Sequence, residues 1–214
     1  MGQQERRQRE KMQRQTQILN AARALLLKEG FARASVNKIS KKAELSIGSI
    51  YFYFKNKAEI FAVLQQEGLE ILHTYLVSET ENVDDPSLRL QKGAEAYYQF
   101  SRKHKDYFDV INYFLSSPQV FFSEDLNRNI GAKGLLILKQ ISDIVREGNG
   151  KNVFNEPYPN NYAVFFWASL HGLVQIQKMQ GFLFESEDYF QFFKYSVDKL
   201  IESIKCREVK DDKV

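Results

Sequence analysis

The chain has 214 residues, 43% of them hydrophobic, with 4 Pro, 11 Gly and a single Cys, Cys206. Such a composition supports a real core built of helices with short connections, and it excludes general disorder, an internal disulfide framework and a Cys-based zinc site. The net charge of +3 hides an asymmetry: residues 1–64 carry 13 Lys+Arg against 5 Asp+Glu and the remainder carries 17 against 22, so a polyanionic partner is indicated for the first part only.

Residues 1–14 are polar and basic, with Arg6, Arg7, Arg9, Lys11 and Arg14. They contain no apolar stretch of the kind a secretory signal needs, and no later run approaches the roughly 18 apolar residues that span a bilayer. A cytoplasmic protein with a basic N-terminal arm, frayed or helical, is expected. Residues 15–29 follow with Ile18, Ala21, Ala22, Leu25 and Leu26 at helical spacing, and Gly30 is a natural stop.

Ser35 is placed to cap a second helix, about 36–43, with Val36, Ile39 and Ala43 inward. Glu44 and Leu45 turn the chain, and Ser46 caps a third helix whose inward residues are Ile50 and Phe54. Lys57 opens a fourth helix that continues through Leu72 and Leu76. A short helix, a tight turn and a second short helix have the spacing of a helix-turn-helix. The small Gly48 and Ser49 let the third helix approach base edges in a major groove about 12 Å wide, and the hydroxyls of Tyr51 and Tyr53 suit phosphate oxygens.

These residues resemble the TetR/AcrR family of bacterial transcription regulators. The resemblance lies in Ile18, Leu19, Ala21 and Ala22; in Leu27, Glu29, Gly30 and Phe31; in Ser35, Val36, Ile39, Ser40 and Ala43; and above all in the run from Leu45 to Lys57. It implies a DNA-binding surface made of Ser35, Asn37, Ser46, Ile47, Gly48, Ser49, Tyr51, Phe52, Tyr53 and Lys57. Ile47, Gly48, Ser49 and Phe52 face the groove, Tyr51, Tyr53 and Lys57 hold phosphates, and Asn37 occupies a second-helix position that sometimes touches a base. The sequence departs from the family in two places. Glu44 replaces the usual turn glycine, at a cost if the backbone there needs φ > 0. Ile47 stands where a polar or basic residue is common and is suited to a thymine methyl.

After a polar stretch at 78–87, helices are expected over 88–103, 107–116, 124–147, 161–180 and about 187–205, with loops at 148–152 and 155–160. The whole reads as an all-α chain: an arm (1–14), a helix-turn-helix domain (15–62, reading helix about 46–53), a helical ligand-binding and dimerisation domain (63–206) and a charged tail (207–214), about nine helices in all. The helix at 161–180 is apolar nearly all round, so burial against a second copy is expected. Phe165, Leu170, Val174, Phe193, Val197 and Leu200 are the candidate interface. By resemblance, an aromatic pocket for an apolar or amphipathic small molecule involves Tyr97, Phe100, Tyr113, Phe114, Phe166 and Trp167.

No catalytic group or metal set is indicated. His73, His104 and His171 are far apart in sequence, and neither a Gly-rich phosphate loop nor a nucleophile motif occurs. No cofactor is expected. The reading is a homodimeric, sequence-specific regulator of double-stranded DNA, a repressor released from a palindromic operator by ligand. The alternatives are an activator, a ligand-independent regulator, or a helical protein-binding adaptor.

Overall fold

In the computed structural model, each expected apolar period becomes a helix with an identifiable start. The structure describes residues 2–183 and 188–206. Among the described residues ten α-helices follow in order: α1 Gln3–Arg33, α2 Val36–Lys42, α3 Ile47–Tyr53, α4 Lys57–Thr80, α5 Pro86–Lys103, α6 Lys105–Leu115, α7 Glu124–Gly150, α8 Pro159–Ile176, α9 Gln180–Leu183 and α10 Tyr189–Glu202. A 3₁₀ turn, Gln177–Met179, joins α8 to α9. Among the described residues the only extended pairing is an isolated bridge between Phe154 and Lys205, so the architecture is all-α.

The caps are local chemistry. Ser35 Oγ accepts from the Lys38 N–H (3.3 Å), Ser46 Oγ from the Ser49 N–H (3.0 Å) and Asn56 Oδ1 from the Glu59 N–H (2.9 Å). Asp85 Oδ1 accepts from the Leu88 N–H (2.7 Å), with Pro86 at the first helical position of α5. Asp188 Oδ1 takes the Phe190 N–H (3.0 Å) at the start of α10.

The chain forms two compact units, each discontinuous in sequence: Met1–Ile71 with His104–Lys133, and Leu72–Lys103 with Gly134–Val214. α4 and α7 each contribute to both. The core of the first unit holds Ile18, Ala22 and Leu26 of α1, Ile39 of α2, Ile50 of α3 and Ile60, Phe61 and Leu64 of α4. That of the second holds Leu90 and Tyr97 of α5, Ile144 of α7, Phe166 and Leu170 of α8, and Phe193 and Val197 of α10.

Several boundaries differ from the sequence expectation. The basic arm, expected frayed or helical, is helical and forms the first half of α1, because Gln, Glu, Arg, Lys and Met are all good helix formers even without an apolar stripe. Gly30 interrupts that helix at φ 79, ψ 166, a region open essentially to glycine alone, and one further turn follows. α7 runs through Gly148 to Gly150. At Gly148 an added Cβ would fall 2.1 Å from the Phe154 ring, so this glycine is what lets Phe154 bury. The charged tail expected at 207–214 lies outside the described residues. Among the described residues, no helix is long and apolar enough to cross a membrane.

Candidate nucleic-acid interface

α3 is short, and its two faces differ sharply. Ile50 and the C-capping Phe54 are buried, whereas Ile47, Tyr51 and Phe52 are 44%, 54% and 78% exposed. Burying Ile50 and Phe54 is what turns the other three outward, since positions four apart share a face of a helix. Large apolar and aromatic groups held in water at this density have no role in the chain's own core.

The N-terminal end of α3 is fixed by its cap. Ser46 Oγ lies 2.8 Å from Ser49 Oγ as well as accepting the Ser49 N–H. The two hydroxyls therefore share one hydrogen, which leaves the pair one outward donor. Gly48 is exposed beside them, and an added Cβ there would meet only Ser46 Oγ, at 3.8 Å. Ser35 caps α2, and Asn37 is exposed on it together with Lys38, Lys41 and Lys42. Lys38 Nζ is held by Glu29 at 2.5 Å, while Lys41 and Lys42 lie in the last turn of α2, where the helix dipole favours cations. Tyr53 is half-buried, edge-on to Phe52 with ring centroids 5.0 Å apart.

The turn between α2 and α3 contains Glu44 at φ 53, the left-handed conformation anticipated for the residue in the glycine's place. Gln17 Nε2 donates to the Ala43 carbonyl (2.6 Å), tying α1 to this turn.

Lys57, expected to hold a phosphate, has partners within the chain. Its Nζ donates to the Phe31 carbonyl (2.9 Å) and sits 4.1 Å from the centroid of the Phe31 ring. Desolvation lowers its pKa below the usual 10.5. One of its three N–H donors is thus committed to the end of α1.

The aromatic residues assigned to a pocket divide between the two units. Tyr97, Phe166 and Trp167 line one cavity in the second unit. Phe100 is buried in that unit but lies outside the cavity lining. Tyr113 and Phe114 belong to the first unit, where with Phe121 and Phe122 they surround Phe31. Aromatic composition carried no signal of which unit each ring would join.

The candidate interface residues also divide. Leu170, Val174, Phe193 and Val197 are buried in the second unit's own core, Leu200 is half-buried and Phe165 is 52% exposed. α8 leaves Val164, Phe165 and Ile176 exposed, and α7 leaves Leu135 and Leu136 exposed. Leu135, Leu136 and Val164 line a shared groove edged by Lys139, Arg146 and Asn160. A helix apolar all round does not disclose which of its stripes the core takes.

Among the described residues, no group of three or more His, Cys, Asp or Glu is placed to hold a metal. Residues 18–64 match the family model described as bacterial regulatory proteins, tetR family. The chain is 31% identical over 113 residues to the HTH-type transcriptional regulator YdgC of Bacillus subtilis, covering 51% of this chain and 57% of YdgC. It is 37% identical over 59 residues to the fatty acid metabolism regulator protein of the same organism, covering 28% and 30%. The chain thus spans less than two thirds of the length of these curated relatives. The fold as a whole is similar to the crystal structure of the transcriptional regulator FadR from Bacillus subtilis in complex with stearoyl-CoA: TM-score 0.74 at 19% identity, over 88% of this chain and 98% of that one. With its helix-turn-helix motif and its capped α3, the segment 18–64 is that of the bacterial regulatory proteins of the tetR family.

Proposed function

We propose that the protein is a sequence-specific DNA-binding transcriptional regulator. In this reading it acts as a homodimeric repressor and leaves a palindromic operator when a small apolar or amphipathic ligand binds the second unit. The observation that carries the DNA-binding part is the outward face of α3, where Ile47, Tyr51 and Phe52 stand in solvent beside Gly48 and the Ser46–Ser49 pair. A helix presenting apolar groups, a close-approach glycine and one hydroxyl donor suits a major groove, with apolar contact to thymine methyls and phenol contact to phosphate.

Dimerisation is supported by the exposed Leu135, Leu136 and Val164, which line one groove of the second unit, and by the exposed Phe165 next to Val164 in the chain, apolar surface of a kind that marks interaction sites. A two-fold pair sets its reading helices about 34 Å apart on one DNA face. Ligand control is supported by the cavity in the second unit and by the likeness to a regulator crystallised with an acyl-CoA.

The test is selection of duplexes from a random-sequence pool, followed by salt titration of the winner. A palindrome whose affinity falls steeply with salt and keeps a sequence-specific remainder is expected. Phe52→Ala and Tyr51→Ala should each weaken that complex at least tenfold with the fold intact. Selection that yields no common sequence, or variants that bind as well as the parent, would remove the assignment of α3. Phe165→Glu should convert a dimer to monomer in sedimentation; a chain that is monomeric beforehand removes the homodimer.

A further inference from the structure

Apart from the buried Ile50, α3 is made of Ile47, Gly48, Ser49, Tyr51, Phe52 and Tyr53. No residue of this helix carries a charge or an amide. The groups that read bases through paired hydrogen bonds are the guanidinium or ammonium on guanine and the carboxamide on adenine, while a carboxylate accepts from cytosine. α3 presents none of them. Its hydroxyls are partly committed as well: Ser46 Oγ and Ser49 Oγ bond each other at 2.8 Å, and Tyr53 is half-buried.

Positions four apart share a face of a helix, so Ile47 lies in a row with Tyr51, Gly48 with Phe52 and Ser49 with Tyr53. At 3.6 residues per turn the Gly48–Phe52 row falls opposite the buried Ile50. Phe52 is accordingly 78% exposed, against 44% for Ile47 and 54% for Tyr51. A ring at that position is the first group to meet whatever the helix enters, and Gly48 adds no side chain to hold it off. Lys41 and Lys42 precede α3 and Lys55 follows it, all exposed. Cations on both sides of an apolar face suit a polyanion with an apolar feature inside its groove, and not a plain apolar patch on another protein.

The major groove offers one such feature, the C5-methyl group of thymine. We infer that α3 reads its operator through thymine methyl groups: Ile47 and Phe52 are the specificity-determining side chains, and the bases they meet are selected for the methyl and not for a hydrogen bond. This rests on the reading of the chain as a sequence-specific DNA-binding protein and names the chemistry it selects. A cytosine methylated at C5 carries the same group at the same place, so α3 accepts it better than plain cytosine.

The probe is the duplex recovered from the random-sequence pool, resynthesised with each thymine in turn replaced by deoxyuridine. Uracil pairs as thymine does and lacks only the methyl group. Fluorescence anisotropy with the full-length protein should show at least one thymine whose replacement weakens binding about fourfold, the worth of one buried methyl. With a C·G pair at that position, methylating the cytosine should tighten binding at least twofold. Ile47→Ala and Phe52→Ala change exposed positions and leave the core untouched. In each, the uracil penalty at the thymine which that side chain meets should fall below twofold, in titrations run at low salt to keep the complexes measurable. Less than a twofold penalty at every thymine of a duplex that binds specifically overturns the inference and leaves the regulator reading standing. So does methylated cytosine that binds no better than cytosine, or a uracil penalty unchanged in both variants. A pool that yields no common sequence overturns the regulator reading itself, and the inference with it.

Discussion

The Phe31 backbone N–H donates to the Tyr113 hydroxyl at 2.9 Å, joining residues 82 positions apart at the point where α1 breaks. The break makes the bond possible. Gly30 leaves the helical region immediately before Phe31, and an added Cβ at Gly30 would lie 3.2 Å from the same hydroxyl. Tyr113→Phe should therefore cost about 1 kcal/mol in urea unfolding, since the ring packing stays while the amide loses its partner. Gly30→Ala should cost more, roughly 2 kcal/mol or above, because it adds backbone strain to the close approach. Combining the two should recover only the steric part; full recovery would mean that the φ of Gly30 is not strained by a side chain.

The turn residue Glu44 carries a smaller strain. A non-glycine residue in the left-handed region loses about 1–2 kcal/mol, and glycine's greater freedom in the unfolded chain takes back roughly 0.5–1. Glu44→Gly should raise the unfolding free energy by up to about 1.5 kcal/mol, read as a higher urea midpoint at unchanged slope. A lower midpoint would show that the Glu44 side chain contributes something the backbone geometry does not.

Arg7, Lys11 and Arg14 occupy one face of α1 by i, i+4, i+7 spacing, and Ile18 continues that face into the core beside α2. Gln17, one turn from Arg14, is bonded to the α2–α3 turn. The stripe is thus held rigidly to the same unit as α3, and its chemistry suits phosphates flanking the site. Replacing all three by Ala should flatten the dependence of log affinity on log salt by about 0.9 for each phosphate no longer neutralised, so roughly 2 to 3 in all. The selected sequence should not change. An unchanged slope would free the stripe of any DNA role.

His171 Nδ1 lies 2.9 Å from the Tyr97 hydroxyl, and burial lowers its pKa below the usual 6.5. Below that pH the unfolded chain takes up a proton that the folded chain resists. The stability His171 contributes is therefore complete above pH 6.5 and is lost as pH falls through that value toward the folded pKa. Asp143, Glu147 and Glu202 all have pKa values lowered below the usual carboxylate range by paired cations, so their titration lies at more acid pH. Urea midpoints should fall between pH 7 and 5 in the parent and fall less in His171→Asn.

Much of the reading end was visible in the sequence because it is governed by local rules. Ser35 and Ser46 cap as their positions required, Gly30 breaks α1, and the Ile50–Phe54 spacing fixes the outward side of α3. What depends on distant partners was not visible. Nothing in the residues around Lys57 signals that Phe31 lies under its ammonium, and Tyr113 and Phe114 differ from Tyr97 and Phe166 only in where the chain takes them. On α8 the apolar residues outnumber the places inside, so pattern alone cannot separate Leu170 and Val174 from Val164 and Phe165.

The split composition of the first unit has a consequence for how the chain is made. Phe31 meets Phe61 early, but Tyr113, Phe114, Phe121 and Phe122 complete its surroundings only after a detour through residues 72–103, which belong to the other unit. A growing chain that has released the whole helix-turn-helix still shows an open aromatic face until residues near 133 emerge from the ribosome, several seconds later at ordinary elongation rates of about 5–20 residues per second. A fragment ending at Ile71 carries every groove-facing residue and lacks the Phe114, Phe121 and Phe122 rings that pack on Phe31, so the DNA-reading end is one that must wait for the middle of the chain before it can stand.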